Sequence, residues 1–321
     1  MQPDRKQGTF AFGAVAVALG AVALRLRSEH SRAQAGKYPG RSTERVAPQP
    51  ATVTAARRLN RAAGVIATST LLDSAVEHYR GSFQNKAMVT PLVVSALALA
   101  VSAHGTGDQR PMAHKIRNPI YLAAALTGLV GTGFHLYNIG KRPGGFRWQN
   151  LFYGSPLGAP AAVALSGLLG YYSERLRDSE SAKPRVFGLR AGRALAALAS
   201  LGILATTAEA GLLHFRGAFH DPFMYLPVTV PPVAAALLAE TAASHPKPPR
   251  RLTRWWLFFT AFIGLAGTAF HAWGVHRNMG GWRNWRQNVL NGPPLPAPPS
   301  FAGLALAGLA ALGLLTEHDD A

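Results

Sequence analysis

The sequence predicts an all-α polytopic membrane protein, built as two tandem, parallel four-helix transmembrane repeats with one further N-terminal span as an option. Three observations predict this fold. Residues are 48% hydrophobic but only 15% charged, whereas about 25% of the residues of soluble domains are charged. Long apolar runs alternate with basic loops, and two long stretches of the sequence match each other at a constant offset.

Eight apolar runs are the predicted membrane spans. Several are shorter than the roughly 20 residues of a straight crossing, so flanking residues must complete them. They lack the alternation of a barrel strand, and lipid leaves the backbone no other way than a helix to satisfy its polar groups. The runs are Ala62–His78, Val89–Ala103, Ile120–Ile139, Ala159–Tyr172, Ala194–His214, Tyr225–Ala243, Trp255–Val275 and Phe301–Leu315.

A ninth apolar run, Phe10–Leu24, is open to two interpretations. It follows a basic start and precedes Arg25, so it fits a signal peptide as well as a span. We favour an uncleaved span because of the loop charges: one side of the eight spans collects 22 Lys and Arg, and the other collects 9. Basic loops stay cytoplasmic, which predicts a bacterial-type inner membrane protein whose less basic loops face the periplasm.

The charge and cysteine counts exclude several function classes. The net charge is +18, and the basic residues that produce it lie in the loops between the apolar runs. This distribution reflects membrane topology, so a nucleic-acid partner is not expected. The chain has no Cys, which excludes disulfides, thiolate metal sites, iron–sulfur clusters and thiol catalysis. No nucleotide-binding or hydrolase motif is present.

An internal repeat organises the chain. The segment from His78 to Phe83 matches the segment from His214 to Phe219, and Gly131–His135 matches Gly267–His271, both at an offset of 136 residues. After a two-residue insertion the match resumes at an offset of 138, and it includes several glycines and prolines. An even number of spans per unit makes the two units parallel. The predicted divisions are residues 1–58, a span candidate and basic cytoplasmic linker; 59–176, the first repeat; 177–191, a basic linker; and 192–321, the second repeat.

Four matched histidines are the candidate cofactor ligands. The first and third helices of each unit end on the same side, which predicts that His78, His135, His214 and His271 lie at one depth near the periplasmic face. Imidazole is an axial ligand of haem iron, and two facing histidines can clamp one haem b. The residues three and four positions before each histidine are small and would leave room for a flat ring.

Charged residues and loops near the histidines complete the prediction. Arg80 and Arg216 are placed to contact haem propionates or a quinone head group. Asp73 and Glu209 are matched acids five residues before a histidine, a spacing that puts them off the histidine face. The loops Lys141–Asn150 and Arg277–Asn288 are rich in Arg, Trp and Gly, and could bind an anionic head group or dock a protein.

The predicted function is electron transfer in the membrane. We expect a subunit linked to haem b, to a quinone or to both, which serves a partner oxidoreductase on the outer face. A redox subunit of a membrane complex is favoured over a stand-alone enzyme. Paired histidines in a bundle are also the scheme of dihaem membrane cytochromes, an analogy of architecture that carries over no residue. The alternatives are a non-catalytic anchor or assembly protein that docks a partner through its Arg/Trp loops, and a small-solute transporter. Small residues and histidines at helix ends also serve plain helix packing and capping.

Overall fold

The computed structural model describes residues 51–179, 184–186, 188–243 and 251–316. This part of the chain is helical apart from turns and a hairpin of two-residue strands, Arg185–Val186 and Leu189–Arg190. The predicted all-α class is therefore confirmed. Phe10–Leu24, the ninth predicted span, lies outside the described residues. The helices are α1 Ala51–Arg80, α2 Thr90–Gly107, α3 Arg117–Gly140, α4 Trp148–Phe152, α5 Gly158–Arg177, α6 Ala191–Arg216, α7 Leu226–Ala243, α8 Arg251–Arg277, α9 Trp285–Asn291 and α10 Pro299–Thr316.

Each of the eight predicted apolar runs lies in one of the long helices or in the 3-10 turn that leads into it. Five helices of the described chain are long and apolar enough to cross a bilayer, and Pro299–Leu315 is a shorter apolar helix. The chain thus has the helices of a multi-pass membrane protein. The five candidates are Lys86–Gly107, Arg117–Gly140, Ala191–Arg216, Pro222–Ala243 and Arg251–Arg277.

The long helices pack in two similar groups. In the first group, α1 packs against α2 and α5, and α3 packs against the same two helices. In the second group, α6 packs against α7 and α10, and α8 does the same. The main joint between the groups is the packing of α10 against α1. Alanine and leucine side chains of α1, α5, α6 and α10 fill the largest buried cluster.

Glycines let the helices of the first group approach very closely. A Cβ at Gly128 of α3 would lie 2.2 Å from the backbone nitrogen of Ala164, and a Cβ at Gly167 of α5 would lie 2.3 Å from that of Ala125. In the second group, a Cβ at Gly264 of α8 would lie 2.8 Å from the nitrogen of Ala302. The backbones of α3 and α5, and those of α8 and α10, are therefore in direct contact, as small residues allow in membrane helices.

A buried cluster of charges ties the first group together at the start of α3. The Arg117 guanidinium donates to Glu174 at 2.8 Å and to Asp108 at 2.9 Å, and Arg117 is 0% exposed. Arg177 donates to the carbonyls of Gly105 and Asp108. These bonds hold the α2–α3 loop against the end of α5. A buried ion pair of this kind is costly to break because it leaves an uncompensated charge.

The second group has apolar or uncharged residues where the first has this cluster. Residues 136 positions after Arg117 and Tyr121 are Thr253 and Leu257, and both are buried. The residue 138 positions after Glu174 is Leu312, which is also buried. The two groups therefore share their helix packing but not the polarity of this part of the core.

Candidate cofactor site at the histidine end

The C-terminal ends of α1, α3, α6 and α8 lie at one end of the molecule, here called the histidine end. Contacts between the groups show this: Arg286, after α8, donates to the Tyr79 hydroxyl at the end of α1. His78 and His214 lie two residues before the last residue of their helices, and His135 and His271 lie five and six residues before. At 1.5 Å per residue, all four lie within about 9 Å of a helix end.

The histidines form two pairs, one in each group. His78 on α1 and His135 on α3 lie within electrostatic range of each other. His214 on α6 and His271 on α8 have the same relation. Because α1 and α3 each contact both α2 and α5, the two helices of the first pair face each other across their group, and α6 and α8 do so in the second. The sequence predicts the common depth but leaves the pairing open.

All four rings are held in the same way, with Nδ1 at a backbone carbonyl. A carbonyl oxygen can only accept a hydrogen bond, so Nδ1 is the protonated nitrogen in each neutral ring. Nε2 is then left with its lone pair, and within the described residues no hydrogen bond to any of these Nε2 atoms is found. The bonds are His78 Nδ1 to Met88 O at 2.5 Å, His214 Nδ1 to Met224 O at 2.7 Å, His271 Nδ1 to Pro294 O at 2.6 Å, and His135 Nδ1 to Pro156 O.

Prolines explain why these four carbonyls have room for a histidine. Each carbonyl stands three or four residues before a proline, which has no N–H to donate to a 3-10 or an α-helical bond. The histidine supplies a donor in place of the one that proline removes, and at Pro294 it adds to a long backbone bond from Ala297 at 3.4 Å. The prolines are Pro91 after Met88, Pro227 after Met224, Pro160 after Pro156 and Pro298 after Pro294. Their match between the repeats was visible in the sequence, but their link to the histidines was not.

The turns that follow α1 and α6 have the same unusual backbone. Ser82 and Phe83 adopt φ of 55° and 44°, and Ala218 and Phe219 adopt 55° and 46°. Left-handed φ is strained for residues other than glycine, so tertiary contacts must hold it. The rings provide one such contact: Phe83 lies edge-on to His78 at 6.2 Å between centroids, and Phe219 lies edge-on to His214 at 6.1 Å.

The loops after α3 and α8 are also built alike. Asn150 donates to the carbonyl of Pro143 and to that of Gly145, and Asn288 donates to the carbonyls of Met279 and Gly281. Each amide group thus closes its own loop with two hydrogen bonds. The paired glycines at 144–145 and 280–281 all have positive φ, which glycine adopts without steric cost.

The two arginines predicted to contact a bound group have different surroundings. Arg80 forms an ion pair with Glu77 at 2.7 Å, and both side chains are well exposed. Arg216 lies over the ring of Phe152 at 5.1 Å from its centroid, so it contacts the α4 helix of the other group. Both lie at the histidine end, and Arg216 is the one without a carboxylate partner among the described residues.

Two of the small residues near the histidines serve helix packing. A Cβ at Gly131, four residues before His135, would lie 3.2 Å from Cβ of Pro160. A Cβ at Gly267, four residues before His271, would lie 2.8 Å from Cβ of Pro298. These glycines are therefore needed for the approach of α5 and α10, and the expectation that they leave open space for a ring is wrong for them.

The matched acids meet across the two groups. Asp73 on α1 and Glu209 on α6 lie within electrostatic range, and the Glu209 carboxylate accepts the backbone N–H of Gly158 at the start of α5. A Cβ at Gly158 would lie 1.2 Å from Glu209 Oε2, so any larger residue there would have to displace the Glu209 carboxylate. The bond from Gly158 to Glu209 thus links the two groups.

The histidines at the other end of the first group are held in the opposite way. Arg117 donates to His104 Nδ1 at 3.0 Å, and the backbone N–H of Ile116 donates to His114 Nδ1 at 3.3 Å. A donor at Nδ1 requires the proton on Nε2, so these rings cannot present Nε2 to a metal. His220 does place Nδ1 at a carbonyl, but it is exposed and bonds only to Gly217 within its own turn.

Within the described residues, no group of three or more His, Asp and Glu that could hold a metal ion is found. Two facing histidines are instead the number that one haem iron takes as axial ligands. The chain matches no family model, and comparisons with curated proteins and with solved structures find no similar protein.

Proposed function

We propose that this chain is an integral membrane electron-transfer subunit that binds two b-type haems, one between His78 and His135 and one between His214 and His271. The observation that carries the proposal is the shared hydrogen bond from each Nδ1 to a backbone carbonyl. Histidines that bind metals through Nε2 are oriented in this way, because the bond at Nδ1 fixes the tautomer and the direction of the ring.

The chain's own groups provide the features that an axial ligand needs. The carbonyl bond raises the basicity of each imidazole and keeps Nε2 available. Phe83 and Phe219 hold the rings of His78 and His214 from the edge. A haem bound in this way would supply one-electron transfer, and a quinone is a compatible second reactant in the bilayer.

The matched geometry supports a duplicated, parallel four-helix unit. The positive φ values after α1 and α6, the Asn150 and Asn288 bonds and the four histidine bonds all recur at matched positions. The loop charges support placing the histidine end on the periplasmic side of a bacterial-type inner membrane, where Arg80 and Arg216 would face propionates or a quinone head group. A partner oxidoreductase would then meet the protein on this side.

The first test is the optical spectrum and haem content of the purified protein, made with ample haem. We expect the sharp reduced α and Soret bands of a low-spin haem and two haems per chain. Each single substitution His78→Ala, His135→Ala, His214→Ala or His271→Ala should remove or convert one of the two haems only. His220→Ala, with a carbonyl-bonded but exposed ring, is the matched control and should keep both.

A spectrum without visible bands, or four single variants that all keep two low-spin haems, would refute the ligand assignment. A second candidate function would then gain weight, that of a membrane anchor that docks a partner without a cofactor. The specific observation in its favour is the exposure of Trp148, Trp282 and Trp285 on the histidine end. It predicts that the loops matter for partner binding and that the four histidines do not.

A further inference from the structure

The surface of the histidine end has many basic residues and very few acidic ones. Nine Lys and Arg side chains are exposed there, whereas the four connecting segments 81–89, 141–157, 217–225 and 278–298 contain a single acid, Asp221. Among the described residues, only one of the nine cations, Arg80, forms an ion pair with a carboxylate. The nine are Arg80, Lys86, Lys141, Arg142, Arg147, Arg216, Arg277, Arg283 and Arg286.

Large apolar side chains stand between these cations. Trp148 is 59% exposed, Trp285 is 60% exposed and Met279 is 91% exposed. Tryptophan, methionine and arginine are the residue types enriched in protein–protein interfaces, and tryptophan and arginine often carry the binding energy. The histidine end therefore combines positive charge with exposed side chains of the kind that anchor a protein partner.

The two loops that present these residues are internally fixed. Asn150 and Asn288 each close a loop with two hydrogen bonds, and Arg142 donates to the carbonyl of Tyr153 at 3.1 Å. A preformed loop loses less conformational entropy on binding than a mobile one. This rigidity favours a protein surface as the partner over single lipid head groups, which do not need several fixed anchors at once.

We propose that the histidine end is the docking face for an acidic, water-soluble electron-transfer protein. The inference rests on the proposed function for the electron-transfer role of the partner, and on charge complementarity for its acidity. A positive face steers an anionic partner and raises its association rate at low salt. It also brings the partner to the end where all four candidate ligands lie within about 9 Å of a helix end.

The test measures binding and needs no cofactor. The full chain is placed in nanodiscs of uncharged phosphatidylcholine, and two soluble redox proteins of opposite charge are used as probes: an acidic flavodoxin and a basic cytochrome c. By biolayer interferometry we expect flavodoxin to bind, with an association rate that falls as ionic strength rises, and cytochrome c not to bind. Equal binding of the two probes, or binding of flavodoxin that salt does not weaken, would overturn the proposal.

Charge reversal localises the face. The double variant R147E/R283E changes one arginine in each matched loop and should weaken flavodoxin binding about tenfold or more. The control R251E/R254E changes two exposed arginines at the start of α8, at the opposite end, and should change it less than twofold. An equal effect of the two variants would overturn the proposal. The neutral variant R147Q/R283Q measures the effect of removing the two charges without reversing them. Thermal unfolding of all variants shows whether any loss of binding comes from misfolding.

Two further outcomes distinguish the alternatives. If R147E/R283E loses binding to phosphatidylglycerol vesicles but keeps flavodoxin binding, the face is a lipid head-group site and the proposal fails. If flavodoxin binds as expected but the visible spectrum is flat, the haem proposal fails and the docking face stands. If haem bands are present but flavodoxin shows no salt-dependent binding, the docking proposal fails and the haem proposal stands.

Discussion

Pro160→Ala tests how the candidate ligand His135 is held. Pro160 lies four residues after Pro156, whose carbonyl accepts the His135 Nδ1–H bond. The substitution adds a backbone N–H at the position from which an α-helix would donate to that carbonyl. The Pro160 atom nearest to a Cβ placed at Gly131 is its Cβ, which alanine keeps, so the packing of α3 on α5 is largely preserved. The change therefore introduces a competitor for one hydrogen bond and little else.

The size of the effect follows from that bond. A hydrogen bond of this kind contributes about 1 kcal/mol net, and its complete loss at 25 °C would weaken haem binding about fivefold. Because the carbonyl has a second lone pair, competition weakens the histidine bond rather than abolishing it, and we expect haem binding that is about two- to fivefold weaker. In Pro160→Ala, the second histidine pair is distant and should keep its affinity for haem. Pro298→Ala should instead weaken haem binding by the second pair and leave that of the first pair unchanged.

The assay is a titration of the haem-free protein in nanodiscs with haem, followed by absorbance at the Soret band. Pro156→Ala is the control, because it keeps both the accepting carbonyl and Pro160. The reasoning would be refuted if Pro160→Ala bound haem as tightly as the unchanged protein while His135→Ala lost one haem, since the carbonyl bond would then not support the ligand. It would equally be refuted if the control and the test variant lost affinity to the same extent.

Three further predictions concern stability, each read in detergent. Arg117→Met removes one of the two buried guanidinium groups beside Glu174 and leaves Arg177, at 3.6 Å, as the remaining ion-pair partner among the described residues. It should lower the free energy of unfolding by about 3 kcal/mol in a denaturant titration; an unchanged midpoint would contradict this. Gly167→Ala forces a Cβ into the backbone of α3 and should lower the free energy of unfolding by about 1–3 kcal/mol. Gly133→Ala, with open space around it, should raise the free energy of unfolding by about 0.5–1 kcal/mol. Thermal midpoints that shift in the same direction in the two variants would contradict this prediction. Burial raises the pKa of Asp108, but hydrogen bonds from two arginines outweigh it and hold that pKa well below its ordinary value. The ionised Asp108 therefore stabilises the fold above about pH 4, and this stabilisation is lost as the pH falls further. In thermal scans over pH, Asp108→Asn should abolish this pH-dependent loss.

The helices were predictable because lipid-facing sequence is so restrictive. Each of the eight apolar runs falls within a helix or the turn leading into it, and helical structure is the only way for such runs to satisfy their backbone in a bilayer. The short helix α4, Trp148–Phe152, was not foreseen, since a five-residue turn between glycines and prolines has no periodic pattern of its own. The sequence also did not show how deeply α1 is buried. Its buried Asn60 accepts a hydrogen bond from the Tyr121 hydroxyl at 2.5 Å, although the two residues are 61 positions apart.

The candidate site was predictable in its residues but not in its chemistry. The repeat identifies His78 and His135 and their counterparts, yet the state of a histidine depends on what meets its Nδ1. That partner is ten residues away for His78 and 21 residues away for His135. A sequence pattern shows the prolines but not which carbonyl they leave open. The buried charges around Arg117 were missed for the same reason, because the loop that brings Asp108 to them has no pattern.

The two ends of the molecule differ in how far the matched residues have diverged. At the histidine end, the hydrogen bonds, the positive φ values and the asparagine bonds occur in both groups. At the other end, Arg117 and Glu174 in one group face Thr253 and Leu312 at the matched positions of the other. Either arrangement fills the core, since apolar side chains of similar volume can replace a buried ion pair without loss of stability. Packing alone therefore permits change at both ends, and the agreement in the histidine bonds is what the proposed pair of equivalent cofactor sites requires.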